Sequence, residues 1–180
     1  MPRRAAGFSL IEMMTVITIF AILIVLGAPA FASWMTNQRV RTMAESIQNG
    51  MRLAQSVAAQ RNTTATFILT NTSPPTCSST PAATGRNWVV CTNSSTQVQA
   101  AIGDAGGKGI NVASDFASVG FNGLGRTTLT NNSQIQLTSA SGACESTGGS
   151  VRCLNILLST GGKIRMCDPQ RAAGDPLGCS

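Results

Sequence analysis

The sequence contains no histidine and no tyrosine, and only 11% of its 180 residues are charged. Without histidine, neither a Ser-His-Asp nor a Cys-His arrangement can be assembled, and the seven acidic residues are few and scattered, so an enzyme is not expected. The six cysteines form no C-x-x-C pair, which removes the usual support for a zinc site or a thioredoxin-like motif; neither metal nor cofactor is expected. Gly103-Asp104-Ala105-Gly106-Gly107-Lys108-Gly109 misses the phosphate-loop spacing and ends in Gly where a Mg²⁺-binding hydroxyl is needed, so it reads as a turn. The most informative absence is local. From Met13 to Gln38 there is no charged side chain at all.

The apolar part of that stretch runs from about Met13 to Phe31. At 1.5 Å per helical residue it spans about 28 Å, close to the hydrocarbon thickness of a bilayer. Arg3 and Arg4 precede it and would hold the N-terminus in the cytoplasm. A secretory signal peptide would have a shorter apolar core with a small-residue cleavage site after it; here the small residue, Gly7, lies before it. A plain membrane anchor accounts for the length but leaves Glu12 at its head unexplained. An ionisable group in a spanning segment marks a functional site with a partner to be named, unless it only snorkels to the interface.

Gly7-Phe8-Ser9-Leu10-Ile11-Glu12 followed by an uncharged helix resembles the class III signal of type IV pilins and pilin-like pseudopilins. The resemblance implies cleavage between Gly7 and Phe8 by a prepilin peptidase and N-methylation of the new Phe8 amine. It also gives Glu12 a partner in the Phe8 amine, of a neighbouring subunit or of its own chain. A carboxylate in lipid is tolerable beside a cation, and that requirement sets the register of one helix against the next.

From Arg39 onward there are eleven basic and six acidic residues, a mildly basic balance compatible with a polyanion. The cysteines (Cys77, Cys91, Cys144, Cys153, Cys167, Cys179) all follow the membrane segment, and their even number reads as disulfides in an oxidising periplasm. Six cysteines allow 15 connectivities; pairing nearest neighbours (77 with 91, 144 with 153, 167 with 179) staples three short loops and is the expected pattern. The sequons at Asn62, Asn71 and Asn93 are chance matches in a chain rich in Asn, Ser and Thr.

Beyond the membrane segment, where Gly27 and Pro29 are expected to interrupt and kink the helix, Val40, Met43, Ala44, Ile47, Met51, Ala54, Val57 and Ala58 recur at three- and four-residue spacing. This predicts an amphipathic helix ending near Gln60-Arg61-Asn62. Short strands are predicted at Thr64–Thr70, Asn87–Thr92, Gln97–Ile102, Phe116–Phe121, Thr127–Leu129, Gln134–Thr138, Val151–Ser159 and Lys163–Cys167, with a loop over Thr72–Arg86. A helix followed by a run of strands is α+β.

Four segments, Gln55–Asn62, Trp88–Val90, Phe121–Arg126 and Leu157–Arg165, fall in the order seen in the FimT/GspH group of minor pilins and pseudopilins. That resemblance implies a type IV pilin fold: a long N-terminal helix, half transmembrane and half amphipathic, on a C-terminal antiparallel sheet domain. It divides the chain into a leader (1–7), a transmembrane helix (8–35) and a periplasmic globular domain (36–180), with its amphipathic helix over 36–62 and β-rich part over 63–180. The function implied is a minor pilin at the fibre tip that primes assembly, resident in the inner membrane and then in the extracellular pilus, with other major and minor pilins and the prepilin peptidase as partners. A type II secretion pseudopilin is one alternative.

DNA is the partner in another alternative. Lys163 and Arg165 are two apart on a predicted strand and share a face; Arg152 joins them if the hairpin register allows, and Arg171 follows in the tail. Gly162-Lys163-Ile164-Arg165 resembles the Gly-Arg-x-Arg stretch by which some FimT-like pilins bind DNA, with Lys replacing the first Arg. The replacement keeps the charge and loses a planar bidentate donor.

Overall fold

A computed structural model describes residues 8–93, 95–103, 109–172 and 174–179, Pro29 by its backbone alone. The leader with Gly7, most of the glycine-rich turn (Asp104–Lys108) and Ser94 of one sequon lie outside the described residues. The chain divides into two compact units, one ending at Met35 and the other Thr36–Ser180.

One helix, α1, runs Leu10–Arg61. The expected interruption at Gly27 and Pro29 is absent, and the helix is continuous through both. Eight strands follow: β1 (Ala65–Thr70), β2 (Asn87–Thr92), β3 (Thr96–Ala101), β4 (Ile110–Ser114), β5 (Ser118–Phe121), β6 (Ser133–Ser139), β7 (Leu154–Leu158) and β8 (Ile164–Cys167). They form two antiparallel four-stranded sheets, ordered β3-β2-β1-β5 and β4-β6-β7-β8.

Within the second unit, the helix stripe Val40, Met43, Ala44, Ile47, Met51, Ala54, Val57 and Ala58 is buried in one core with Phe67, Trp88 and Val90 of the first sheet and Ile110, Ile135, Leu137, Ile156 and Leu158 of the second. Gly50 marks the closest approach of helix to sheet: a Cβ there would lie 2.8 Å from the Phe67 ring and 3.0 Å from that of Trp88. Trp88 Nε1 donates to Ser46 Oγ at 3.0 Å, satisfying the indole as it is buried.

All six residues of β2 are buried, because the sheet is covered on its other face too. There Ile68, Val89 and Cys91 form a second small core with Cys77 and Ala100 beneath the loop joining β1 to β2. The Cys77–Cys91 disulfide pins that loop, and the Thr70 hydroxyl donates to Thr80 O at 2.8 Å. The other disulfides join Cys144 to Cys153 and Cys167 to Cys179.

The structure differs from the sequence-based expectation at four strands. β4 was not expected, although Ile-Asn-Val alternates buried with exposed. Thr127–Leu129 makes only a single bridge, Thr127 to Phe121. The strand expected from Phe116 starts at Ser118, because Phe116 is a core side chain in a turn whose N–H donates to Ser114 Oγ. The strand expected from Val151 starts at Leu154, because Val151 pairs instead with Cys144 across the disulfide loop.

Candidate functional site

In the N-terminal unit, Glu12 lies in the first turn of α1, where a carboxylate meets the positive end of the helix dipole. Phe8, two residues before the helix, is 79% exposed. The helix holds an 18-residue window of mean hydropathy 2.5, none of it buried, so by length and composition it is able to cross a membrane. Its polar side chains fold back on the backbone: Thr15 Oγ1 donates to Glu12 O at 2.8 Å and Thr18 Oγ1 to Thr15 O at 2.8 Å, which hides both hydroxyls in an apolar medium. The Phe31 and Trp34 rings lie 5.7 Å apart, tilted at 31°, where the apolar run ends, as an interfacial aromatic pair would.

In the globular unit, Leu157 of β7 pairs with Arg165 of β8. Ile156, Leu158, Ile164 and Met166 turn to the core, so Arg165 stands on the opposite face. Lys163 precedes β8 in a tight turn: its N–H donates to Ser159 Oγ, and Ser159 N–H to Lys163 O, both at 3.0 Å. The two cations line one side of an open cleft of about 480 Å³ with Gln134, Ser133, Asn132 and Asp115. Asp115 Oδ2 accepts the Gln134 N–H at 2.8 Å and brings a carboxylate into the cleft.

Arg152 does not join this face. The register sets Asn155 opposite Cys167, so Arg152 lies beyond one end of the hairpin and Lys163 at the other. Its guanidinium pairs with Asp168 at 2.7 Å, a carboxylate only 5% exposed. Arg171 pairs with Asp175 at 3.3 Å in the tail. The basic cluster thus separates into Lys163 and Arg165 at the cleft and Arg152 and Arg171 elsewhere.

Sequence reasoning noted the segments around Gln55, Phe121–Arg126 and Leu157–Arg165 only for their order; the fold brings them to one place. Gln55 Nε2 donates to Gly125 O at 2.8 Å and to Gly162 O at 3.0 Å, tying two loops to the helix. Gly162 has φ +91° and packs against Gly125 O so closely that a Cβ would clash. Thr127 N–H reaches Thr160 O at 3.3 Å. A polar amide on the buried side of an amphipathic helix was the available signal. Among the described residues no group of three or more His, Cys, Asp or Glu is placed to hold a metal ion.

A long helix, apolar in its first half and amphipathic in its second, followed by antiparallel sheets, defines a pilin-type subunit. Residues 2–28 match the prokaryotic N-terminal methylation motif. Residues 43–172 match the family described as type II transport protein GspH, and the chain belongs to this GspH/FimT-type family of pilin-like proteins. Its fold is similar to that of the type IV minor pilin FimU of Pseudomonas aeruginosa PAO1 in two crystal forms. One, in space group P21, shares 11% identity over 76% of this chain and 94% of the crystallised chain, with a TM-score of 0.53. The other, in P65, shares 11% over 74% and 97%, with a TM-score of 0.51. No curated protein matches the chain significantly.

Proposed function

We propose that this protein is a minor type IV pilin that enters the fibre at its tip and primes assembly. The observation that carries the reading is the N-terminal half of α1. Every described side chain from Leu10 to Phe31 is exposed, and Glu12 is its sole charge. Such a surface must be covered, by lipid before assembly and by the helices of other subunits afterwards. A prepilin peptidase cuts between Gly7 and Phe8, the Phe8 amine is methylated, and its positive charge meets Glu12 of a neighbour. The globular unit stands on the periplasmic side of the inner membrane and is carried outside with the fibre, among major and minor pilins. Likeness in fold to a minor pilin supports the minor role.

Glu12→Ala tests the assembly step: the variant stays in the membrane fraction and disappears from purified fibres. Normal incorporation of Glu12→Ala would overturn the pairing of Phe8 with Glu12.

Two other readings have observations of their own. The family's description as a type II transport protein favours a secretion pseudopilin; co-purification with secretion rather than pilus components would decide for it. Lys163 and Arg165 on one face favour a DNA-binding pilin, whereas Asp115 in the same cleft and the pairing of Arg152 and Arg171 count against an extended phosphate track.

A further inference from the structure

The loop Asn122–Arg126 is built rigidly around an apolar side chain that it does not bury. Asn122 Oδ1 accepts the N–H groups of both Leu124 and Arg126 at 3.0 Å. The Asn122 N–H donates to Arg126 O at 3.0 Å, and the Gly125 N–H to Asn122 O at 2.8 Å. Gly125 takes the left-handed conformation, φ +74°, and its carbonyl is held by Gln55. With both ends closed and the middle pinned to α1, the loop has no freedom to fold its apex inward. At that apex Leu124 is 84% exposed, more than any other large apolar side chain among the described residues, Phe8 at 79% included.

The two adjoining loops are basic. Arg126 belongs to the loop, and Lys163 follows Gly162, the residue packed against Gly125. Neither Asn122–Arg126 nor Ser159–Arg165 contains a carboxylate. We propose that this loop is a docking knob for a different pilin-type subunit, Leu124 entering an apolar socket whose rim carries carboxylates for Arg126 and Lys163. The inference rests on the reading of the chain as a fibre subunit, in which joined apolar helices bring neighbouring globular units together.

Leucine at the apex disfavours nucleic acid, which offers phosphates to the cations and no socket to the side chain. A second copy of this chain is a poor partner as well. Among its described carboxylates outside the apolar helix, Glu45 pairs with Arg41, Asp168 with Arg152 and Asp175 with Arg171, and Asp115 accepts the Gln134 N–H, which leaves Glu145 as a single acid for two cations. The complementary charge belongs to another subunit.

The test uses the full chain in its own host, with the photo-crosslinker p-benzoylphenylalanine replacing Leu124 or, as a reference in the apolar helix, Ile17. The expected result is an adduct from position 124 to a different pilin-type subunit, identified by mass spectrometry. Arg126→Glu should lower its yield about tenfold and Arg126→Lys should preserve it. Adducts from position 17 with none from 124, or an adduct of 124 to DNA, to lipid or to a second copy, would overturn the proposal and leave the subunit reading standing. No adduct to a pilin from either position would overturn both.

Discussion

Arg152 donates from Nε to Asp168 Oδ2 at 2.7 Å, and the contact fastens three parts of the chain together. The Arg152 N–H donates to Asn37 Oδ1 of α1 at 2.9 Å. The Asp168 N–H donates to Leu177 O at 2.8 Å, and Asp168 Oδ1 accepts the Gln170 N–H at 2.9 Å. An arginine that is basic in the sequence thus serves as a clasp between helix, hairpin and tail.

Arg152→Ala should therefore act on stability. It leaves the buried Asp168 carboxylate with one oxygen unpaired, at a cost of about 2 kcal/mol for a charged hydrogen bond. Denaturant unfolding of the globular unit should show a lower midpoint with an unchanged slope. An unshifted midpoint would contradict the role given to the pair.

Gly50→Ala sets helix propensity against packing. Alanine is favoured over glycine in a helix by about 1 kcal/mol, but its Cβ would press on the Phe67 and Trp88 rings at 2.8 and 3.0 Å. Overpacking of this kind costs about 1–3 kcal/mol, so the variant should be neutral to destabilised, by at most about 2 kcal/mol. A clear rise in melting temperature would show that the rings yield freely.

Binding of duplex DNA to the globular unit, followed across a salt series, tests the phosphate reading. If the Lys163–Arg165 face binds, affinity falls with salt with a slope of about −2, from about 0.9 per phosphate neutralised. Lys163→Ala with Arg165→Ala should abolish it, and Arg152→Ala should leave it intact. Absence of binding at low salt would make the face a solvated strand surface or a subunit contact.

The parts of the fold legible in the sequence are those whose signal is local. The stripe from Val40 to Ala58 at helical spacing and the apolar run of β2 each declare burial within a few residues. The extent of the basic face was not legible, because it depends on the hairpin register: β7 begins at Leu154, which leaves Arg152 past the last pair. Nor was the role of Gln55, whose acceptors lie 70 and 107 residues away. β4 was hidden by its length of five residues, although its alternation was visible. Proline at position 29 signals a break, yet the helix runs through it without interruption.

The three disulfides have separations of 14, 9 and 12 residues, and none encloses or crosses another. Each ring can close as soon as its own short segment has emerged, without waiting for a cysteine further along the chain. Oxidation in the order of emergence meets the native partner first, because at every step the nearest waiting thiol is the correct one. A chain built this way has little need of an isomerase to correct its bridges, and its loops can be sealed progressively from the N-terminal side outward.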